Sequence, residues 1–176
     1  METTGTRMKG LAVGLLLFVL ASGAYSATTQ EPYGAAAAKA DKDLTIEEML
    51  VYAIQDEYLA RAEYKAILAK FGNVRPFSNI VSAEETHVSY LKSAFSKYNL
   101  SVPLDEAGGR IVVPSTLEEA NRAGVQAEIE NIAMYNRFLG APALQAATYA
   151  DIRSLFQTLK DASENHLKAF QNQLSK

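Results

Sequence analysis

The chain has 176 residues, enough for one domain with a packed core. It is 48% hydrophobic and 21% charged with 10 Gly and 5 Pro, which excludes a collagenous or wholly disordered protein. The formal net charge of −3, without a long basic run, predicts no nucleic-acid partner, and the lack of Cys excludes disulfides, thiolate metal sites and cysteine catalysis. Any chemistry must therefore use oxygen and imidazole groups.

The first 26 residues have the pattern of a secretory signal peptide. Arg7 and Lys9 precede an apolar run over residues 11–20, and small residues follow up to Ala27. The apolar run is short for the ~30 Å hydrocarbon core of a bilayer. The sequence therefore predicts a signal peptide over residues 1–26, a periplasmic or secreted protein, and no membrane association after cleavage.

The next segment, residues 27–43, contains Pro32, Gly34 and an alanine run but no apolar stripe. This composition predicts a flexible linker. The remaining residues, 44–176, are predicted to form the folded domain.

Four amphipathic helices are predicted in this domain from apolar residues at steps of three and four. Thr45 and Glu48 fit a capping box at the start of the first helix, and Thr116 is a candidate cap for the third. The predicted bounds are Thr45 to about Phe71, Pro76 to Tyr98, Ser115 or Thr116 to the residue before Gly140, and Thr148 to Leu174.

The segment between the second and third helices, residues 100–114, is long enough to change the topology. About 14 extended residues reach ~45 Å, whereas the second helix is only ~33 Å long. The sequence therefore predicts an all-α protein, a four-helix bundle with a long crossover between helices two and three.

Polar residues interrupt each apolar stripe near its middle. One such residue usually reaches solvent with its polar end. Four interruptions at matching levels instead favour a shared buried site, in which the carboxylates repel one another unless protons or a cation compensate them. The interrupting residues, which include both histidines of the chain, are Glu57, Glu84, His87, Glu128, Asn131, Ser163 and His166.

These residues resemble the di-iron carboxylate pattern of the ferritin-like superfamily. More narrowly, the chain is similar to the bacterial and archaeal domain-of-unknown-function family 2202 over roughly residues 44–174. The segments that carry this likeness are DEYLARAEY (56–64), PFSNIVSAEETH (76–87) and SENHLKAF (163–170). The resemblance implies a ferritin-like fold with a dinuclear metal site, and it implies no particular reaction.

The chain departs from the superfamily pattern at Ser163, which occupies the position of the usual fourth carboxylate. Two divalent ions beside three glutamates would keep one positive charge. A bridging hydroxide, the neighbouring Glu164 or a single bound metal are open alternatives. Asn131 stands where some peroxide-reducing relatives carry an extra carboxylate, and its amide would be a neutral, weaker ligand.

The ligand set predicts the metal and its co-substrate. Oxygen-rich sites with one imidazole per ion suit two Fe ions, with Mn or Zn as alternatives, and the open positions would admit dioxygen or peroxide. In the predicted site Glu84 and Glu128 bridge or chelate the ions. Glu57 and His87 bind one ion, and His166 binds the other.

Two tyrosines are candidate catalytic residues. Tyr64 and Tyr135 each lie one heptad from a predicted ligand glutamate, so that they could carry a radical or donate a hydrogen bond. The alternative is that both belong to the apolar core, as buried tyrosines often do.

Three interpretations of function remain open on sequence alone. The protein is an exported di-iron oxidase or peroxidase, a module that stores or sequesters iron or zinc without turnover, or a metal-free helical interaction bundle with a polar core network. Because ferritin-like bundles often pair, a homodimer is also expected.

Overall fold

The computed structural model describes residues 30–176, and these residues form helices and no strand. The all-α prediction is therefore confirmed for the described residues, whereas the predicted signal peptide lies outside them. No helix in this range combines the length and apolarity needed to cross a membrane. The helices are α1 (Ala35–Ala40), α2 (Ile46–Phe71), α3 (Phe77–Lys97), α4 (Leu117–Gly140) and α5 (Ala150–Leu174), with short 3-10 turns at Ala107–Gly109, Pro142–Gln145 and Ala147–Tyr149.

Two of the long helices begin with the predicted capping signals. At α2 the Thr45 side chain accepts from the Glu48 N–H and the Glu48 carboxylate accepts from the Thr45 N–H, and Thr116 and Glu119 repeat this at α4. Helix α5 differs, since a 3-10 turn precedes it and no side chain caps its start. The predicted entry at Thr148 therefore lies within that turn.

Contacts between the four long helices fix their directions. Tyr64, late in α2, packs against Phe77 at the start of α3, with ring centroids 5.6 Å apart. Tyr64 also reaches Glu128 of α4, while Glu57, earlier in α2, reaches Tyr135, later in α4. Helix α2 therefore runs antiparallel to both α3 and α4, and residues 98–116 connect two helices of the same direction.

The apolar core consists of two clusters with a polar layer between them. The larger cluster contains Leu50, Phe95 and Phe156, and the smaller one surrounds Phe77 and Phe170. The residues that interrupt the stripes lie between these clusters on all four helices. The polar layer is therefore enclosed by apolar packing above and below.

The structure differs from the predicted flexible linker over residues 31–41, which we call the N-terminal strap. Tyr33 and Ala38 of the strap are buried, and residues 35–40 form α1. The Gly34 N–H donates to Gln55 Oε1 at 3.1 Å, and the Ala35 N–H donates to Asp56 Oδ1 at 2.8 Å. Polar contacts thus hold the strap on α2.

The C-terminal part of the strap contacts side chains of α4 and α2. The Arg137 guanidinium donates to the carbonyl oxygens of Ala38 and Asp41, and the Tyr52 hydroxyl donates to Asp41 Oδ2 at 2.9 Å. Because backbone groups make most of these contacts, no apolar periodicity accompanies them in the sequence. A search for amphipathic stripes therefore does not detect that the strap packs on the helices.

Candidate metal centre

The structure brings the five predicted ligand residues together in the polar layer, and all of them are buried. They form two triads that share one glutamate, and the ligand atoms of each triad lie within 4.8 Å of one another. The first triad is Glu57, Glu84 and His87, and the second is Glu84, Glu128 and His166.

Glu84 connects the triads by presenting one oxygen to each histidine. Its Oε2 lies 2.9 Å from His87 Nδ1, and its Oε1 lies 3.1 Å from His166 Nδ1. Glu57 Oε2 lies 3.1 Å from His87 Nδ1, and Glu128 Oε1 lies 3.5 Å from His166 Nδ1. The imidazole rings stack with centroids 5.8 Å apart. Each triad thus combines two carboxylates with one imidazole nitrogen.

His166 provides the strongest sign that a cation fits here. Its buried Nδ1 has no hydrogen-bond partner among residues 30–176, although carboxylate oxygens lie close to it, because the atoms are not in hydrogen-bond geometry. Buried polar nitrogens are rarely left without a partner. A metal ion bound by imidazole nitrogen and carboxylate oxygen would satisfy this atom and its neighbours together.

The pKa values of the triad residues follow from their burial and from their charged neighbours. Burial, together with the Glu84 charge, raises the pKa of Glu57 to about 8. Burial opposes the ionisation of Glu84, but its interactions with His166 and His87 lower its pKa below the usual range. Burial likewise opposes protonation of the histidines, yet their carboxylate neighbours raise the pKa to about 10 for His87 and to about 9 for His166. Protons therefore supply the positive charge that a metal ion would otherwise bring.

Both candidate tyrosines donate to the triads. The Tyr64 hydroxyl donates to Glu128 Oε1 at 2.9 Å, and the Tyr135 hydroxyl donates to Glu57 Oε1 at 2.8 Å. Burial raises the pKa of both hydroxyls well above 10, so that they remain protonated donors. Their positions agree with the hydrogen-bonding role, and the radical role stays a prediction.

A second polar chain, the Asp56 network, lies beside the triads. The Ser163 hydroxyl donates to Asn131 Oδ1 at 2.6 Å, and Asn131 Nδ2 donates to Asp56 Oδ2 at 2.7 Å. Asn131 is therefore held by Asp56 and Ser163 and belongs to neither triad. Glu164 points elsewhere, because its Oε1 lies 2.6 Å from Lys160 Nζ at a part-exposed position. It does not supply the fourth carboxylate.

Sequence reasoning missed Asp56, although a signal for it exists. Asp56 lies three residues after Ala53 and four before Ala60, at the spacing of the α2 stripe. Glu57 fits the same interval between Ala53 and Ala60, and the predicted stripe contained Glu57 alone. Helical periodicity therefore does not distinguish these two neighbouring acidic residues.

A cavity of about 340 Å³ opens beside the triads, between α2, α4 and the linker residues 110–112. Among the described residues that line it, Arg110 is the one cation. Its guanidinium stacks on the Tyr33 ring at 4.3 Å and donates to the Glu31 carbonyl. Carboxylates dominate the rest of the charged lining, namely Asp56, Glu57, Glu63, Glu84, Glu128 and Glu130. The cavity therefore offers a mainly acidic approach to the triads.

Comparison with known sequences assigns the family. The profile of the family described as "Uncharacterized protein domain (DUF2202)" matches residues 46–176. The chain belongs to the DUF2202 family. The DUF2202 match begins at the first residue of α2, so it covers both triads and excludes the N-terminal strap.

A relative of this DUF2202 protein is the uncharacterized protein MJ0754 of Methanocaldococcus jannaschii. It is 26% identical over 143 residues, which cover 73% of this chain and 74% of that protein. No solved structure gave a significant match.

Proposed function

We propose that this DUF2202 protein binds two metal ions at the two triads, within a four-helix bundle of the ferritin-like type. One ion is held by Glu57, Glu84 and His87, and the other by Glu84, Glu128 and His166. The observation that carries this proposal is the position of Glu84, whose two oxygens face different histidines 2.9 and 3.1 Å away. This arrangement favours a bridging carboxylate.

The donor atoms favour Fe or Mn, with Zn as a competitor, because each ion would receive carboxylate oxygens and one imidazole. Fe or Mn, when bound, would supply electrons for reaction with dioxygen or peroxide. The chain itself contributes orientation. Tyr64 and Tyr135 hold one carboxylate of each triad, and apolar clusters pack on both sides of the polar layer.

We also propose that the protein is exported, on the signal-peptide pattern of residues 1–26. Expression of the full chain in a bacterial host tests this directly. A mature protein recovered from the periplasm, with an N-terminus between Tyr25 and Thr28, supports export. An intact chain confined to the cytosol contradicts it.

Metal analysis tests the dinuclear centre. The purified chain is stripped with chelator, loaded with Fe²⁺ under anaerobic conditions or with Mn²⁺, desalted and measured by mass spectrometry. We expect two equivalents in the wild type and little retained metal in Glu84→Gln, since both ions lose a ligand. Glu85→Gln is the matched control, because Glu85 is the exposed neighbour paired with Lys65, and it should retain both equivalents.

Two other results would change the assignment. A wild type that retains no metal, or a Glu84→Gln variant that retains as much as the wild type, indicates a metal-free helical protein with a polar core network. Loaded Fe²⁺ that consumes no dioxygen or peroxide beyond the uncatalysed rate indicates a storage or sequestration module. Turnover above that rate supports an oxidase or peroxidase.

A further inference from the structure

The two triads contain fewer negative charges than two divalent ions require. Their three glutamates contribute three charges, whereas two divalent ions bring four. All three glutamates are buried, so an uncompensated positive charge would be poorly solvated. The second ion would therefore bind weakly unless another anionic group lies close to the centre.

Asp56 is an acidic group that faces this region from outside the triads. It lines the same cavity as Glu57, Glu84 and Glu128. Both of its oxygens have fixed donors, since Oδ1 accepts from the Ala35 N–H and Oδ2 accepts from Asn131 Nδ2. The carboxylate is thus held in one orientation beside the centre.

Asn131 itself is fixed by the other end of the Asp56 network. The Ser163 hydroxyl donates to Asn131 Oδ1 at 2.6 Å and lies at 3.1 Å from the Leu159 carbonyl oxygen. Ser163 stands three residues before His166, the spacing that separates Glu84 from His87. At the position of α5 that matches Glu84 of α3, the chain therefore has a neutral hydroxyl, which is connected through Asn131 to the carboxylate of Asp56 on α2.

The other carboxylates near the cavity lack this connection. Glu164 is paired with Lys160, and Glu130 accepts from Gln126 Nε2 at an exposed position of α4. Glu63 lines the cavity, but its carboxylate has no hydrogen bond with another described residue of the polar layer. Of the described carboxylates that line the cavity outside the triads, only Asp56 forms hydrogen bonds with residues at the level of the triads.

We propose that Asp56 supplies the fourth negative charge of the dinuclear centre, as a positioning residue that stabilises the second metal ion across the cavity. This inference rests on the proposed dinuclear function. Asp56 belongs to neither triad, so it acts through its charge and not as a ligand. The first ion, already matched by the three glutamates, depends on it little.

Asp56→Asn removes the charge while leaving the network able to form. The new side-chain oxygen still accepts from the Ala35 N–H. The Asn131 amide can turn so that its oxygen accepts from the new amide and its nitrogen donates to Ser163 Oγ. Glu63→Gln is the matched control, since it removes a carboxylate from the same cavity wall without touching the network.

Calorimetric titration of the metal-free full chain with Mn²⁺ distinguishes the variants, with thermal unfolding as a check that they fold. We expect Asp56→Asn to weaken the second equivalent by about 10- to 100-fold and to leave the first within about 3-fold of the wild type. Glu63→Gln should keep both equivalents within about 3-fold. A purely structural role of Asp56 would lower the unfolding temperature and weaken both equivalents alike.

The outcomes separate this inference from the function on which it rests. A wild type that binds fewer than two equivalents overturns the dinuclear function and the role of Asp56 together. A wild type that binds two equivalents, with an Asp56→Asn variant that binds them equally well, overturns only the role of Asp56. An equal loss of the second equivalent in Asp56→Asn and Glu63→Gln also overturns it, because the general charge of the cavity would then suffice.

Discussion

Tyr135 shows how a single hydroxyl links the apolar core to the metal centre. Its side chain is fully buried and donates to Glu57 at 2.8 Å. Tyr135→Phe removes the donor and leaves a buried carboxylate with one bond fewer, so we expect a loss of about 1–3 kcal/mol in the free energy of unfolding. Urea unfolding of the metal-free protein measures this loss.

Tyr52→Phe is the control for this substitution, because the Tyr52 hydroxyl donates to Asp41 of the strap at a part-buried position. We expect a smaller loss there. An unchanged stability of Tyr135→Phe would contradict the contribution of the hydrogen bond. A variant that keeps its metal and its fold but loses turnover would instead support the predicted radical role of Tyr135.

The candidate site could be predicted from sequence where polar residues break a helical stripe. Glu84 and His87 are three residues apart on one helix face, and Glu57 and Glu128 each stand alone in an otherwise apolar stripe. Helical periodicity therefore places their side chains in the interior. It does not specify hydrogen-bond partners across helices, and for this reason the pairing of Asn131 with Asp56 could not be read from the sequence.

At the scale of helices, Gly124 of α4 leaves room for the Phe170 ring of α5. A Cβ at this position would lie 2.8 Å from the Phe170 ring, which is fully buried against Tyr64 and Phe77. Gly124→Ala gains helix propensity of up to ~1 kcal/mol, but we expect the overpacking to outweigh it and to lower stability by about 1–3 kcal/mol.

Gly140→Ala is the matched control, since a Cβ at this end of α4 meets no atom within 4 Å. Thermal unfolding of both variants should show a lower midpoint for Gly124→Ala only. Equal midpoints would mean that Phe170 can move aside without cost, contrary to its burial on three sides.

Gly34 plays a similar role for the N-terminal strap. Its φ of +59° favours glycine, and a Cβ would lie 2.6 Å from Asp56 Oδ1. We expect Gly34→Ala to release the strap from α2 while the four long helices remain folded. Trypsin should then cleave at the exposed Lys39 faster than in the wild type.

Ala36→Ser controls for a change within α1, because Ala36 is exposed. Its cleavage rate should match that of the wild type. Cleavage of Gly34→Ala at the wild-type rate would show that the contacts of Arg137 and Tyr52 with Ala38 and Asp41 suffice to retain the strap.

How well each helix could be predicted depends on whether its own sequence carries a cap and an apolar stripe. Helices α2 and α4 carry both a capping box and an apolar stripe, and their starts at Ile46 and Leu117 agree with the prediction. Helix α5 lacks a side-chain cap, and its predicted start at Thr148 lies two residues before the observed start at Ala150. Helix α1 has neither signal and depends on contacts with α2 and α4, which only the folded chain provides.

At the scale of the whole molecule, the buried centre couples folding to protons. In the metal-free fold the pKa of Glu57 rises from 4.5 to about 8, and those of His87 and His166 rise from 6.5 to about 10 and about 9. At a pH between the unfolded and the folded pKa of a group, the folded chain holds a proton that the unfolded chain has lost. The stability from all three groups is therefore complete at low pH and falls as the pH rises. Glu84 acts in the opposite sense, but only below its usual value of 4.5.

We therefore expect the metal-free protein to lose stability as the pH rises from about 5 to about 10, with a slope of up to about 1.4 kcal/mol per pH unit for each extra proton of the folded state. Urea unfolding in the presence of chelator measures this slope. Saturating Mn²⁺ should abolish this loss, because the metal-bound centre has already released the protons of Glu57, His87 and His166. At a free concentration 100 times the Kd, each bound ion adds about 2.7 kcal/mol.

Glu84→Gln tests both sources of positive charge, the bound protons and the metal ions, since it removes the carboxylate that both histidines share. We expect its stability to depend less on pH without metal and to be unchanged by Mn²⁺. A metal-free wild type whose stability is flat between pH 5 and pH 10 would show that the histidines are neutral in the fold. In that case the carboxylates of the polar layer would be held by hydrogen bonds from neutral groups, and Mn²⁺ would bind without releasing the second proton of either histidine.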